Sequence, residues 1–263
     1  MSNDLVLLQV QGPVATVVLN RPEAMNALTV PAKLALRDVL QQVHDDAAVR
    51  AVVLTGSGRA FCVGQDLKEH AGLLDGRDPA PLATVRDHYN PIVTLLASMP
   101  KPVVAAVIGP AAGAGLGLVC ACDFRLGAAG AKYTTAFTGI GLTADSGLSW
   151  TLPRLVGAGR ATALLLLAEP FSAEQALEMG MLNAVVAPEQ VLPAAQELAR
   201  RLATGPTTAY GLVKQSLAFA ADSTLVEALA KEDELQTAAG RTEDHAAAVR
   251  SFLAKERPAF HGR

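Results

Sequence analysis

The stretch KPVVAAVIGPAAGAGLGLVCACD, residues 101–123, decides the fold class. Its first part is rich in β-branched residues and predicts a buried strand over 102–108, which Gly109-Pro110 ends. The 21 residues from 102 to 122 carry no charge and approach the length of a membrane helix, yet two prolines and four glycines interrupt them. The stretch therefore predicts a strand, a tight turn and a buried helix.

Strand and helix patterns alternate on both sides of this stretch. Apolar runs at 5–10 and 14–19, separated by Gly12-Pro13, predict a hairpin, and Thr29 is placed to cap an amphipathic helix. Further expected elements are a strand at 51–54, helices that start near Asp66 and Ser172, a helix over 82–99, strands at 124–126 and 184–187, and a surface loop at 72–81. This order predicts an α/β fold.

After Pro188 the strand patterns stop, and only helical periodicity follows to the end of the chain. We therefore expect an α/β core over residues 1–190 and a C-terminal helical subdomain over residues 191–263.

Composition excludes several classes of protein. The chain has 263 residues, of which 51% are hydrophobic and 18% charged, and its formal net charge is −3. These values are typical of a globular enzyme and give no reason to expect nucleic acid or a membrane as a partner. Three cysteines without framework spacing are expected to be reduced and buried. The first residues lack the basic and apolar regions of a signal peptide, so we expect a cytoplasmic protein.

Several motifs that carry chemistry are missing. The sequence contains no HExxH, CxxC, GxSxG or GxxxxGK[ST], and we therefore expect no metal site, no serine nucleophile of the elbow type and no nucleotide phosphate loop. The run Gly113-Ala-Gly115-Leu-Gly117 resembles a dinucleotide fingerprint, but Leu118 stands where its last glycine belongs.

Two glycine-punctuated loops, residues 58–67 and 109–117, each precede a predicted helix. Small residues let a ligand approach the backbone, and the first amides of a helix are unpaired donors. If the loops meet, two amides could hold a carbonyl oxygen as it becomes negatively charged. The alternative is that these glycines only let a helix and a sheet touch, and Asp66 is expected to cap a helix in either case.

The sequence resembles the crotonase superfamily, the enoyl-CoA hydratases and isomerases, over nearly its whole length. The motifs that carry the resemblance are Asn20-Arg21-Pro22, Asn26-Ala27-Leu28, AFCVGQDL at 60–67, KPVVAAV at 101–107, residues 109–117, Cys122-Asp123 and ALEMGMLN at 176–183. The resemblance implies a ββα superhelical core, a C-terminal helical region used in trimerisation, and a homotrimer or a hexamer made of two trimers. It also implies an acyl-CoA substrate and no cofactor beyond the coenzyme A of that substrate.

The same resemblance assigns candidate site residues. The oxyanion donors would be the backbone amides of Gln65 and Ala114, and further residues would bind substrate. The substrate-binding candidates are Ala27, Gln65, Asp66, Leu67, Lys68, Ala114 and Phe137.

The catalytic acids depart from the pattern of the hydratases in the family. Their two glutamates fall on Gly117 and Phe137, which cannot transfer a proton. Asp145 stands where several isomerases and a dehalogenase of the family place a single catalytic aspartate. Its alternative role is to cap the helix that follows Ser146-Gly147.

These residues predict an acyl-CoA isomerase that shifts a double bond or opens a ring epoxide, in fatty acid or aromatic catabolism. The sequence most resembles the phenylacetyl-CoA epoxide isomerase branch of the family. The alternatives are an enoyl-CoA hydratase, an acyl-CoA dehalogenase or hydrolase that uses Asp145 as a nucleophile, and a non-catalytic acyl-CoA-binding protein.

Overall fold

A computed structural model describes residues 4–263. Its strands are β1 (Val6–Gln11), β2 (Val14–Leu19), β3 (Ala51–Gly56), β4 (Val103–Val107), β5 (Ala111–Ala112), β6 (Phe124–Ala128), β7 (Lys132–Thr134), β8 (Phe171–Ser172) and β9 (Ala184–Val186). Its α-helices are α1 (Val30–Asp45), α2 (Leu67–Asp75), α3 (Asn90–Ser98), α4 (Ala114–Ala121), α5 (Leu148–Val156), α6 (Ala158–Leu167), α7 (Ala173–Glu178), α8 (Val191–Ala203), α9 (Thr207–Ala220), α10 (Leu225–Gly240) and α11 (Glu243–Ala254).

Six strands form the main sheet in the order β1-β2-β3-β4-β6-β9. The β1–β2 hairpin is antiparallel, and every other neighbouring pair is parallel. Every residue of β2, β3 and β4 is buried, as expected for central strands covered on both faces. The chain is therefore the α/β protein that the alternation of patterns predicts.

The helix caps predicted at Thr29 and Ser172 are present in the structure. The hydroxyl of Thr29 caps α1 by accepting from the Ala32 amide, and Ser172 and Gln175 form a capping box at α7. The three cysteines are free and buried, as predicted, and burial raises the pKa of the Cys62 thiol to about 12.

The expected single helix over 82–99 is wrong in detail. Val85–Tyr89 forms a π-helical turn, and α3 starts only at Asn90. Pro91 has no amide hydrogen, and its ring would clash with the Asp87 carbonyl in a regular helix. A wider turn before Pro91 removes that clash.

One further expectation needs correction, and one feature of the fold was not predicted. The surface loop predicted at 72–81 is shorter, because α2 continues to Asp75. A second sheet with the order β5-β7-β8 was not predicted, since its strands have only two or three residues and show no pattern of their own.

The part of the chain after β9 contains a 3-10 turn and four α-helices. Of these, α8 packs on β2, β3, β4 and β6, and α9 packs against α10. The division of the chain at residue 190 stays a prediction. No helix among residues 4–263 is long and apolar enough to cross a membrane.

Candidate active site

The two glycine-punctuated loops meet in the structure. Gly64 has a φ of +85°, and a Cβ atom added there would lie 2.9 Å from the Ala112 oxygen and 3.2 Å from the Ala114 nitrogen. The Ala112 amide also donates to the Cys62 carbonyl at 3.0 Å. Only a residue without a side chain allows this approach of one backbone to the other.

Two backbone amides at this junction have no hydrogen-bond acceptor. Within residues 4–263, neither the Gln65 nor the Ala114 nitrogen donates to another group, and both residues line the same cavity. Ala114 is the first residue of α4, whose N-cap is Gly113 and has no capping side chain. The positive end of the α4 dipole therefore faces the cavity together with the unpaired amides.

The loop that carries Gln65 is held by the motif Asn26-Ala27-Leu28. The buried Asn26 side chain donates to the carbonyls of Ser57, Ala60 and Phe61 at 2.9–3.2 Å. Leu28 then donates to the Gly64 carbonyl at 2.8 Å. These bonds join segments that are more than 30 residues apart and hold the Gln65 amide in place.

Between the loops lies a cavity of about 130 Å³ with mostly apolar walls. Its lining comprises Val63, Gln65, Leu67, His70, Leu82, Thr84, Tyr89, Gly113, Ala114, Ala136, Phe137, Ile140, Leu142 and Asp145. Among these residues Asp145 is the only carboxylic acid. A cavity with few polar groups is the usual form of a small-molecule site.

Asp145 does not cap a helix. The N-cap of α5 is Gly147, which has no capping side chain, and the hydrogen bond to the Asp145 side chain comes from the Ser146 hydroxyl at 2.7 Å. Ser146 and Gly147 have φ values of +52° and +74°, so a strained turn presents the carboxyl group to the cavity. The alternative role considered for Asp145, capping the helix that follows, is therefore wrong.

The surroundings of Asp145 make its carboxyl group a weaker acid. Burial raises its pKa above the ordinary value, although the Ser146 hydrogen bond and the charge of Lys33 oppose this rise. A carboxylate with a raised pKa is a better base near neutral pH.

The structure also explains the glycine at 117. A Cβ atom on Gly117 would lie 2.6 Å from the Ser146 Cβ and 2.7 Å from the Ser146 oxygen. The turn that carries Asp145 thus occupies the space that a longer residue at 117 would need. Phe137 lines the cavity with a buried ring, so neither position provides a second acid.

The remaining candidates divide into two groups. Gln65, Leu67, Ala114, Phe137 and Asp145 line the cavity, whereas Ala27, Asp66 and Lys68 do not.

The side chain of Asp66 has structural partners. It pairs with Arg21 at 3.0 Å and accepts from the Lys68 and Glu69 amides at the start of α2, as expected for a cap. Burial alone would raise the pKa of Asp66, but the hydrogen bonds and the charge of Arg21 outweigh burial and lower the pKa. Ala27 is buried, and its carbonyl accepts from Arg21 at 2.6 Å.

Four residues at the site were not predicted from the sequence: Lys33, His70, Thr84 and Tyr89. Lys33 and Tyr89 both donate to Gln65 Oε1, at 2.9 Å and 2.6 Å. The sequence contains one indication that Lys33 is buried: it lies on the apolar face of α1, at helical spacing from Leu36 and Leu40. Residues 4–263 contain no cluster of three or more His, Cys, Asp or Glu side chains that could hold a metal ion.

Known proteins that are similar in sequence identify the family of this chain. The family model for enoyl-CoA hydratase/isomerase matches residues 9–263. The 1,2-epoxyphenylacetyl-CoA isomerase of Escherichia coli (strain K12) is 44% identical over 262 residues, which are 99% of each chain. A protein of Rhodobacter capsulatus named probable enoyl-CoA hydratase is 40% identical and is covered, like this chain, over its full length.

A solved structure agrees as well. A Mycobacterium abscessus protein assigned to the enoyl-CoA hydratases/isomerases superposes with a TM-score of 0.94 at 46% identity, covering 98% of this chain and 100% of the other. Family model, relatives and fold thus agree over almost the whole length of the sequence. The chain belongs to the enoyl-CoA hydratase/isomerase family of enzymes, the crotonase superfamily.

Proposed function

We propose that this enzyme is an acyl-CoA isomerase with a single catalytic carboxylate. The thioester oxygen of the substrate accepts hydrogen bonds from the Gln65 and Ala114 amides, and Asp145 moves the proton. The observation that carries the proposal is that one carboxylic acid lines the cavity, beside two amides without an acceptor among residues 4–263.

The reaction consists of two proton transfers. The Asp145 carboxylate takes a proton from C2 of a 3-enoyl-CoA, and the C–H electron pair moves toward the thioester oxygen to form a dienolate. Asp145 then returns the proton at C4, the electrons return from the oxygen, and a C2=C3 double bond results. No metal or redox cofactor takes part, and coenzyme A enters only as part of the substrate.

The two amides make the first transfer possible. A thioester α-proton is far less acidic than a carboxylic acid, so the dienolate forms only if it is stabilised as its charge develops. Removing one donor of a comparable oxyanion hole costs about 3–4 kcal/mol of transition-state stabilisation.

The acyl group is proposed from the relatives. The Escherichia coli relative is named for an epoxide of phenylacetyl-CoA, and the apolar cavity walls suit a ring-bearing acyl group as well as a linear one. The substrate class is therefore an acyl-CoA with a 3,4-double bond or a ring epoxide.

Hydration is the second candidate, because several relatives are named enoyl-CoA hydratases. It requires an acid and a base that activate water and protonate carbon together. The contact of Gly117 with Ser146 and the position of Phe137 leave Asp145 as the only acid in the cavity lining, which favours isomerisation.

Replacing Asp145 by Asn tests the proposal. Asn keeps the shape of the side chain but cannot accept the proton, so kcat and deuterium exchange at C2 should be lost while acyl-CoA binding is retained. A panel of 2-enoyl-, 3-enoyl- and aromatic acyl-CoAs, followed by mass, separates isomerisation from hydration, since only water addition changes the mass. Efficient hydration without isomerisation would contradict the proposal.

Asp123 provides a matched control. It is another acid whose pKa burial raises, but it pairs with Lys214 at 2.8 Å and does not line the cavity. Asp123→Asn should lower the melting temperature and leave kcat unchanged. If Asp145→Asn likewise keeps its kcat, turnover does not depend on this acid and the proposal is refuted.

We also propose that the enzyme forms a homotrimer, or a hexamer of two trimers, through its last helices. Large apolar side chains of α9, α10 and α11 are exposed to solvent in the single chain, and such clusters mark association surfaces. The most exposed are Leu217, Leu225, Val226, Phe252 and Leu253. The molar mass in solution, measured by light scattering, tests this assembly.

A further inference from the structure

Lys33 is buried in an unusual way. Its side chain is on α1 and is completely inaccessible to solvent, whereas lysine is almost never fully buried without a partner of opposite charge. Its ammonium group forms no ion pair within the part of the chain that the structure describes. It donates instead to two neutral oxygens, Gln65 Oε1 at 2.9 Å and Thr84 Oγ1 at 2.6 Å.

Three carboxylates act on this ammonium from neighbouring segments. Burial lowers the pKa of Lys33, and the negative charges of Glu69, Asp145 and Asp66 oppose that effect. Asp66 is paired with Arg21, and both oxygens of Glu69 accept from the Val30 amide at 3.0 Å. Within residues 4–263, Asp145 has neither a cation nor a backbone amide as a hydrogen-bond or ion-pair partner, so of the three carboxylates it depends most on the charge of Lys33.

Two further titratable groups lie near Lys33, Tyr89 and His88, and neither carries a charge that compensates the ammonium. The ammonium lies 4.9 Å from the centre of the Tyr89 ring, and burial raises the pKa of that phenol far above neutral pH. His88 contacts Thr84 Oγ1 at 3.0 Å, and burial followed by the charge of Lys33 lowers its pKa, which favours a neutral ring.

Lys33 also contacts Gln65, which carries one of the two unpaired backbone amides. Its hydrogen bond to Gln65 Oε1, together with the one from Tyr89 at 2.6 Å, holds the residue whose backbone amide lacks an acceptor. One buried cation is therefore linked to Gln65 by contact and to Asp145 by its field.

We propose that Lys33 is a positioning residue. Its positive charge balances first the negative charge of the Asp145 carboxylate and then that of the dienolate, which binds at the amide of Gln65, the residue that Lys33 holds by a hydrogen bond. This inference rests on the proposed isomerase reaction. When the proton moves from C2 to Asp145, the negative charge moves from the carboxylate to the thioester oxygen. The Lys33 ammonium is opposite in charge to the reacting anion both before the transfer, when that anion is the Asp145 carboxylate, and after it, when that anion is the dienolate.

The first test is the pH profile of kcat in Lys33→Met and Lys33→Gln. Without the cation the pKa of Asp145 should rise, so the acidic limb should move up by about one pH unit, with kcat reduced at least about tenfold and KM little changed. Gln keeps a hydrogen-bond donor, so an unshifted limb in Lys33→Gln would show that the bond matters and the charge does not, which overturns the proposal.

Lys101 offers the matched control. It is also a buried lysine, and it donates to the carbonyls of Val43 and Asp46 at 2.9 Å and 2.8 Å, away from the cavity. Lys101→Met should lower the melting temperature and leave the acidic limb in place. An equal shift in this control would assign the effect to general loss of stability and refute the proposal.

A titration without substrate separates this inference from the proposed reaction. Carbon NMR of the Asp145 carboxyl group, assigned by its loss in Asp145→Asn, should give a higher pKa in the Lys33 variants. Should those variants fail to fold, the coupling can be read in reverse, because Asp145→Asn should lower the pKa of the Lys33 ammonium. If neither the pKa of Asp145 nor that of Lys33 changes in these variants, the charge link is overturned. A clear pKa shift in a protein without isomerase activity would refute only the proposed reaction.

Discussion

Gly64→Ala is the sharpest test of the two-loop site. The added Cβ would lie 2.9 Å from the Ala112 oxygen and 3.2 Å from the Ala114 nitrogen, and both contacts are with backbone that cannot rotate away. The loop and the start of α4 must therefore separate. Since this changes the distance between the Gln65 and Ala114 amides, we expect kcat to fall by about 10²–10³-fold, the effect of losing one oxyanion donor.

The same substitution has a cost for the backbone alone. Gly64 has a φ of +85°, and a left-handed conformation costs a residue with a side chain about 1–2 kcal/mol. In a domain of this size each kcal/mol lowers the melting temperature by about 2–4 °C. Gly130→Ala is the matched control, because Gly130 has a φ of +76° and no atom within 4 Å of the added Cβ.

Both variants are assayed for double-bond isomerisation at saturating acyl-CoA and for thermal unfolding by circular dichroism. Both should melt at a lower temperature, but only Gly64→Ala should lose turnover. If folded Gly64→Ala retains a kcat within about threefold of the Gly130→Ala value, well short of the expected loss, the two loops do not form the oxygen site.

Three further predictions concern the acids. Gly117→Glu should destabilise the fold and should not create a hydratase, because its Cβ would lie 2.7 Å from the Ser146 oxygen; a folded variant that hydrates crotonyl-CoA would contradict this. The acidic limb of kcat should lie above the 3.8 of an ordinary aspartate, because Asp145 acts as a base only when ionised and burial raises its pKa. The folded protein keeps this proton at pH values where the unfolded chain has lost it, so stability falls as pH rises through that window. Asp145→Asn should therefore melt at the same or a higher temperature at neutral pH, and a clear fall would point to a structural role.

Much of the fold could be predicted because its signals are local. The hairpin depends on two apolar runs around Gly12-Pro13, and the caps at Thr29, Asp66 and Ser172 depend on residues within three positions of the helix start. The family followed from several motifs in a fixed order, and the family model and relatives confirm it.

Other features depend on contacts between distant segments, which no local pattern contains. The residues around Asp145 have the pattern of a helix cap, yet the turn at Ser146 makes Gly147 the N-cap of α5, which starts at Leu148, and Asp145 lines the cavity instead. That turn lies so close to Gly117 that a Cβ atom there would be 2.6 Å from the Ser146 Cβ.

The α/β class, the caps and the family can be read from the sequence, since periodicity, turn residues and motifs act over a few positions. Which amides stay unpaired and which acid lines the cavity depends on how distant segments pack together. That packing also buries Lys33, which sequence alone places as one cation on an otherwise apolar helix face. The interactions that oppose the cost of burying this charge are the hydrogen bonds to Gln65 and Thr84, 32 and 51 residues away, and the negative charges of Glu69, Asp145 and Asp66. Such interactions exist only once the chain has folded.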